Sequence, residues 1–186
     1  MTTTPAIGAR GGLAAGCRVA VVSVLACLGM FADGPPEYQV KAAYIYNFAK
    51  FVEWPNQSQA KNLAICVSGS DPFGGVLEGM VQGKVVHGLS VQVKHVGDTG
   101  DWDECQILFF GGAGNGRIEA ALHRLRGHSI LTIGEARSFA ERGGMIGLVI
   151  ENGRVRFEIN TAAVEAAHLQ ISSHLLEVGR VVNAKN

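Results

Sequence analysis

Beyond its first 32 residues the chain has only two cysteines, Cys66 and Cys105. Its six histidines, at positions 87, 95, 123, 128, 168 and 174, form no H-x-x-x-H pair and have no cysteine at metal spacing. A metal centre takes three or four convergent ligands, so the pattern announces none. There is no G-x-S-x-G elbow, and neither remaining cysteine has the electropositive setting of a nucleophile. No catalytic constellation is assembled in the sequence, which argues against an enzyme and calls for no cofactor. Lys plus Arg and Asp plus Glu number 16 each; setting aside Arg10 and Arg18 leaves 14 against 16, a net of −2. No basic stripe remains to follow a nucleic-acid backbone, so the composition argues against a DNA or RNA partner. Repeats, low-complexity tracts and linkers are also missing.

The longest apolar run, residues 19–31, is 13 residues long and follows Arg10 and Arg18. That is too short to span a bilayer and suits the apolar segment of a secretory signal. Cleavage near Ala32 fits the small residue there and the turn-forming Asp33-Gly34-Pro35-Pro36 that follows. Val24-Leu25-Ala26-Cys27 resembles a lipobox, but Leu28-Gly29-Met30-Phe31 continues the apolar run where a polar tether belongs. Residues 1–32 are therefore read as an export signal and 33–186 as one domain. In an oxidising compartment Cys66 and Cys105 would pair; two buried free thiols are the alternative.

The strongest local signal is residues 143–160, GGMIGLVIENGRVRFEIN. Asn152-Gly153 between two alternating runs predicts a two-residue hairpin loop. That register pairs Ile150 with Val155, Leu148 with Phe157 and Ile146 with Ile159, all six on one face. Arg154, Arg156 and Glu158 fall on the other, with Val149 and Glu151. Upstream, residues 37–53 read as a helix stopped by Trp54-Pro55, with Val40, Tyr44, Ile45, Phe48, Phe51 and Val52 on one arc interrupted by Lys41. Near-continuous apolar runs at 62–67, 106–110 and 129–133 predict strands buried on both faces. Shorter strands fall at 83–86 and 90–96, and helices at 76–80, 115–125, 161–167 and 173–178, with a helical turn at 136–141. Strands alternating with helices predict an α/β fold, a single three-layer domain. Its mixed, mostly parallel sheet would carry an antiparallel edge hairpin, with helices on both faces.

Gly111-Gly112-Ala113-Gly114-Asn115-Gly116 follows a predicted strand and opens a helix, as a dinucleotide fingerprint does. The spacing fails, because the third required glycine is Arg117 from one start and the second is Ala113 from the other. Asp98, Asp101, Asp103 and Glu104 lack the alternating series of a calcium loop and read as a solvated loop. A small-ligand pocket is expected, as a second reading, beyond the strand ends at Ser68, Asp71 and Phe73.

Five segments in order resemble the YfiR family of exported regulators: E-Y-x-x-K-A-A-Y-I-Y-N-F-A-K-F-V-E-W-P at 37–55, S-D-P-F-G at 70–74, F-A-E-R-G-G-M-I at 139–146, R-F-E-I-N at 156–160 and I-S-S-x-L-L at 171–176. The resemblance implies a periplasmic, non-enzymatic inhibitor that binds the periplasmic region of an inner-membrane diguanylate cyclase, within cyclic-di-GMP signalling. It further implies an outer-membrane peptidoglycan-associated lipoprotein as a second partner, and a homodimer. Cys66 and Cys105 match a disulfide found in some members; a second family pair falls here on Ala140 and Gly147. For partner binding the sequence offers the hairpin face at Arg154, Arg156 and Glu158. Beside it, Leu169, Ile171 and Leu175 are read either as a hot-spot core or as packing for the last helix.

Overall fold

The structure is a computed structural model that describes residues 36–55, 60–100, 102–112 and 114–183. The expected export segment and Asp101 lie outside them. The described residues begin with α1 (Pro36–Phe51), which runs directly into β1 (Val52–Glu53). Next come β2 (Asn62–Gly69), α2 (Val76–Val81), β3 (Val85–Val86), β4 (Leu89–Val96) and β5 (Ile107–Gly111). Then follow α3 (Asn115–Arg124), β6 (Leu131–Gly134), β7 (Ile146–Glu151) and β8 (Arg154–Ile159). The last elements are α4 (Thr161–Ala166), β9 (Gln170–Ile171), α5 (Ser173–Val178) and β10 (Arg180–Val181). Among the described residues no helix is long and apolar enough to cross a membrane.

Eight strands form one sheet in the order β10-β8-β7-β6-β5-β2-β4-β3. The central β7-β6-β5-β2-β4 pairings are parallel; β7–β8 and β3–β4 are antiparallel. The mostly parallel α/β sheet with its hairpin is therefore as the sequence implies. Strand parity divides the core. Leu63, Ile65 and Val67 of β2 face one layer with Ile107 and Phe109 of β5, under α1, α2, α4 and α5. Ala64, Cys66, Leu108 and Phe110 face the other, where α3 packs through Ile118, Ala121 and Leu122. Helices on both faces bury the central strands completely, which is why those runs are apolar without alternation.

Two-residue strands account for what the sequence did not reveal. β10 runs parallel to β8, so the hairpin is not the sheet's edge. β9, in a stretch expected to be a bare connection, pairs antiparallel with β1 through Val52↔Ile171. Both strands are too short to carry any periodicity.

α1 buries Ile45 and Phe48 of the expected arc, with Tyr44 and Phe51 packed against the core, but it is rotated enough to expose Val40 and bury Lys41. Lys41, Ala42, Ile45, Phe48 and Ala49 are buried, whereas Val40 is 44% exposed. The buried set has the i, i+3, i+4, i+7 spacing of a core stripe, and its small Ala42 and Ala49 let the helix sit close to the sheet. Lys41 is tolerated there because Glu37, one turn before it, and Glu135, 2.5 Å away just after β6, both pair with its ammonium.

Candidate partner-binding surface

The hairpin keeps the register set by Asn-Gly: Ile150↔Val155, Leu148↔Phe157 and Ile146↔Ile159. Asn152 and Gly153 both have positive φ, 52° and 71°, as the tight turn demands. α1 crosses this hairpin through aromatic contacts, with Phe157 5.0 Å from Phe48 and 5.2 Å from Tyr44 between ring centres. Near the turn the helix no longer covers the sheet. Ile146, Leu148, Phe157 and Ile159 are buried, but Ile150 is 50% exposed and Val155 half-buried. Glu37, Val40, Tyr44, Ile150 and Val155 consequently line an open groove of about 570 Å³. Arg154 and Arg156 complete its wall. The groove thus sets exposed apolar side chains beside charged residues, which makes it a candidate contact surface.

Arg154 and Arg156 are exposed, as the alternation implies. Glu158 is not. Its 7% exposure follows from β10, whose Arg180 pairs with Glu158 and, at 2.6 Å, with Glu151. The two carboxylates, by hydrogen bonding and charge, raise the pKa of Arg180. Leu169 and Leu175 are likewise removed from the surface, at 4% and 3% exposure, and pack in the main core. Ile171 is half-buried in β9. Leu169 and Leu175 therefore hold the last segment down on the core, and its outward apolar side chains are Val178 and Val181, 59% and 51% exposed. The exposed apolar residues beside the arginines come instead from Val40 and Ile150, which the sequence reading placed in the core. No pattern within one element marks them, because their exposure depends on where α1 crosses the hairpin.

The pocket expected at the strand ends is closed. Phe73 is fully buried, 5.8 Å from Tyr38 and 4.9 Å from Phe109 between ring centres, and Ser68 is 1% exposed with its hydroxyl donating to Asp98 at 3.3 Å. Of the three residues only Asp71 keeps access to solvent, and its Oδ1 accepts from the Phe73 amide at 2.8 Å. The strand order places the topological switch between β2 and β5. That crevice is filled by the chain itself. The Ser70 amide donates to Gly111 O at 3.2 Å, and a Cβ on Gly111 or Gly112 would collide with Ser70. Those glycines permit close approach of two loops, and Gly112 also takes φ +60°. In the acidic loop, Asp98 pairs with Arg117 at 2.8 Å and Glu104 with Lys94 at 2.6 Å.

The remaining motif residues are structural. Cys66 and Cys105 form a buried disulfide with Cα atoms 5.8 Å apart, which resolves the alternative left open by the sequence. The Phe139 ring packs between Gly134 and Gly144, where any Cβ would strike it. Asn160, 1% exposed, accepts from the Ala163 amide at 3.0 Å as the cap of α4 and donates to Ala140 O at 2.9 Å. A Cβ on Gly147 would lie 3.6 Å from that of Ala140, within the usual span for a disulfide.

The family model described as YfiR/HmsC-like matches residues 38–180. Among solved structures, the ABC domain in complex with L-Trp from Streptococcus pneumonia aligns at 12% identity and a TM-score of 0.49, over 78% of this chain. A conserved domain protein from Vibrio cholerae O1 biovar eltor str. N16961 aligns at 13% and 0.45, over 80%. This chain spans 60% of the length of each, and at those scores neither bears on ligand or activity.

Proposed function

Because the chain belongs to the YfiR/HmsC-like family, we propose that it is an exported periplasmic regulator that restrains a membrane-bound diguanylate cyclase by protein contact. The observation that carries this reading is the family match across residues 38–180, nearly the whole described domain. The α1–hairpin groove supports it by offering a place to bind: apolar Val40 and Ile150 with Arg154 and Arg156 at the rim. Restraint of an enzyme requires only tighter binding to its inactive form, so no bond chemistry is asked of this chain. A homodimer and an outer-membrane peptidoglycan-associated lipoprotein as competing partner belong to the same proposal.

The test is capture of inner-membrane proteins on the purified domain, with cellular cyclic-di-GMP measured when its gene is deleted. A cyclase in the captured fraction and a rise in cyclic-di-GMP are expected. The double reversal Arg154→Glu/Arg156→Glu should abolish capture while leaving the melting temperature unchanged, since both side chains are exposed. No cyclase captured and no change in cyclic-di-GMP would sink the proposal.

A further inference from the structure

Val91 is buried in the main core and Val93 packs against it; His95, the next residue on the same face of β4, stands where that core ends. Glu78 of α2 reaches this point, its Oε1 lying 2.8 Å from His95 Nε2. Asp71, from the loop joining β2 to α2, contributes a third donor, and one ligand atom of each residue falls within 4.8 Å of the other two. Three elements thus deliver an imidazole and two carboxylates to one spot. A simple His95–Glu78 pair would not require Asp71, whose charge opposes that of Glu78. Neither carboxylate is paired with a lysine or arginine among the described residues. Glu78 Oε2 is shielded from water and has no hydrogen-bond partner among the described residues, although the side chain as a whole is 38% exposed. A shielded carboxylate oxygen without a donor lacks something positive to face.

From this the geometry points to a divalent transition-metal site of the zinc class, with Asp71, Glu78 and His95 as its protein ligands. Imidazole nitrogen with carboxylate oxygen is a donor set suited to Zn²⁺ and its neighbours, whereas Ca²⁺ and Mg²⁺ take oxygen alone. Tetrahedral Zn²⁺ holds such donors ~3.4 Å apart, so the cluster closes on an ion by small side-chain rotations. The open side of the site leaves a coordination position to water. A bound ion would tie the β2–α2 loop to the end of β4, and the proposal is independent of the regulatory reading above.

Calorimetric titration of the untagged, EDTA-treated domain with Zn²⁺ tests it. One ion per chain is expected, with affinity lowered tenfold or more in each of Asp71→Asn, Glu78→Gln and His95→Gln, and unchanged in His174→Gln. Co²⁺ should give a visible spectrum of nitrogen and oxygen ligation that His95→Gln removes. Zn²⁺ should raise the melting temperature of the wild-type domain but not of His95→Gln. The targeted residues are half-exposed or exposed, so the variants fold, and far-ultraviolet circular dichroism checks that they do. Absence of binding to the wild-type domain, or binding undiminished in all three variants, overturns the site. Calcium bound as tightly as zinc overturns the metal class.

Discussion

Removing the Cys66–Cys105 bond should be the most damaging covalent change available to this domain. The bond joins positions 39 residues apart. For a loop of that length the chain-entropy relation gives ~4 kcal/mol of stabilisation through the unfolded state. A single domain is stable by about 5–15 kcal/mol, so the bond is a large share of the total. Spread over a chain of this size, ~4 kcal/mol corresponds to a fall of roughly 8–16 °C in melting temperature. Both sulfurs are buried, in the layer beneath α3, so alanine is the replacement that avoids hiding a hydroxyl there. Thermal unfolding of Cys66→Ala, Cys105→Ala and the double variant closes a cycle. Each single variant should lose the whole bond, and the double should fall within about 1 kcal/mol of either, the difference being one more missing sulfur atom. The oxidised wild-type protein, denatured and titrated with a thiol reagent, should show no reactive group from these two residues. Losses that sum in the double variant, or two reactive thiols in the titration, would refute the reasoning.

Gly144→Ala drives a methyl into the Phe139 ring and should cost about 1–3 kcal/mol in urea unfolding, whereas Gly116→Ala, exposed on α3 with no atom near its Cβ, should gain about 0.5 kcal/mol. Ala140→Cys/Gly147→Cys should form a second disulfide on mild oxidation, seen as two lost thiols and about 2 kcal/mol of added stability; persistent free thiols would contradict the juxtaposition. Stability should also decline in alkali. Burial alone would lower the Lys41 pKa, but hydrogen bonds and charge from Glu135 and Glu37 outweigh it and the net shift is upward. Tyr38 is raised as well, by burial first and then by Glu135. The Lys41 contribution is therefore complete below its unfolded pKa of about 10.4 and vanishes as pH climbs through the higher folded value. Tyr38 acts in the same direction, since above about pH 10 the unfolded chain carries tyrosinate that the folded site resists. Denaturation midpoints of wild type and Lys41→Met should converge above pH 10; a gap that stays constant to pH 11 would argue against the pair.

What the sequence made legible was local. Asn152-Gly153 fixed the partner of every residue in the hairpin, because two positions with φ above zero admit few alternatives. Unbroken apolar runs marked the strands that are covered twice, whereas α1 ends at Phe51, short of the stop expected at Trp54-Pro55, because Val52 and Glu53 pair with β9. What stayed hidden depends on distant partners. Lys41 reads as a flaw in an apolar stripe until Glu135, 94 residues later, arrives beside it. β1, β9 and β10 exist only through their pairing. Leu169 and Leu175 have the same composition whether they face a partner protein or their own core, and only the sheet beneath them decides. Glu78 and His95 stand 17 residues apart, with no spacing rule to join them; β4 lying beside β2 does so.

The way α1 is anchored bears on how this chain acquires its shape. The Lys41 and Tyr44 side chains find Glu135 and Val155, and Phe51 receives a hydrogen bond from Ser172, so the helix made early is secured by residues made late. A polypeptide emerging from ribosome or translocation pore in order cannot seat α1 until nearly the entire length is out. Throughout that interval Ile45 and Phe48 have nowhere to go, which leaves the nascent molecule open to holding chaperones and delays commitment to the finished form until the very last strands appear.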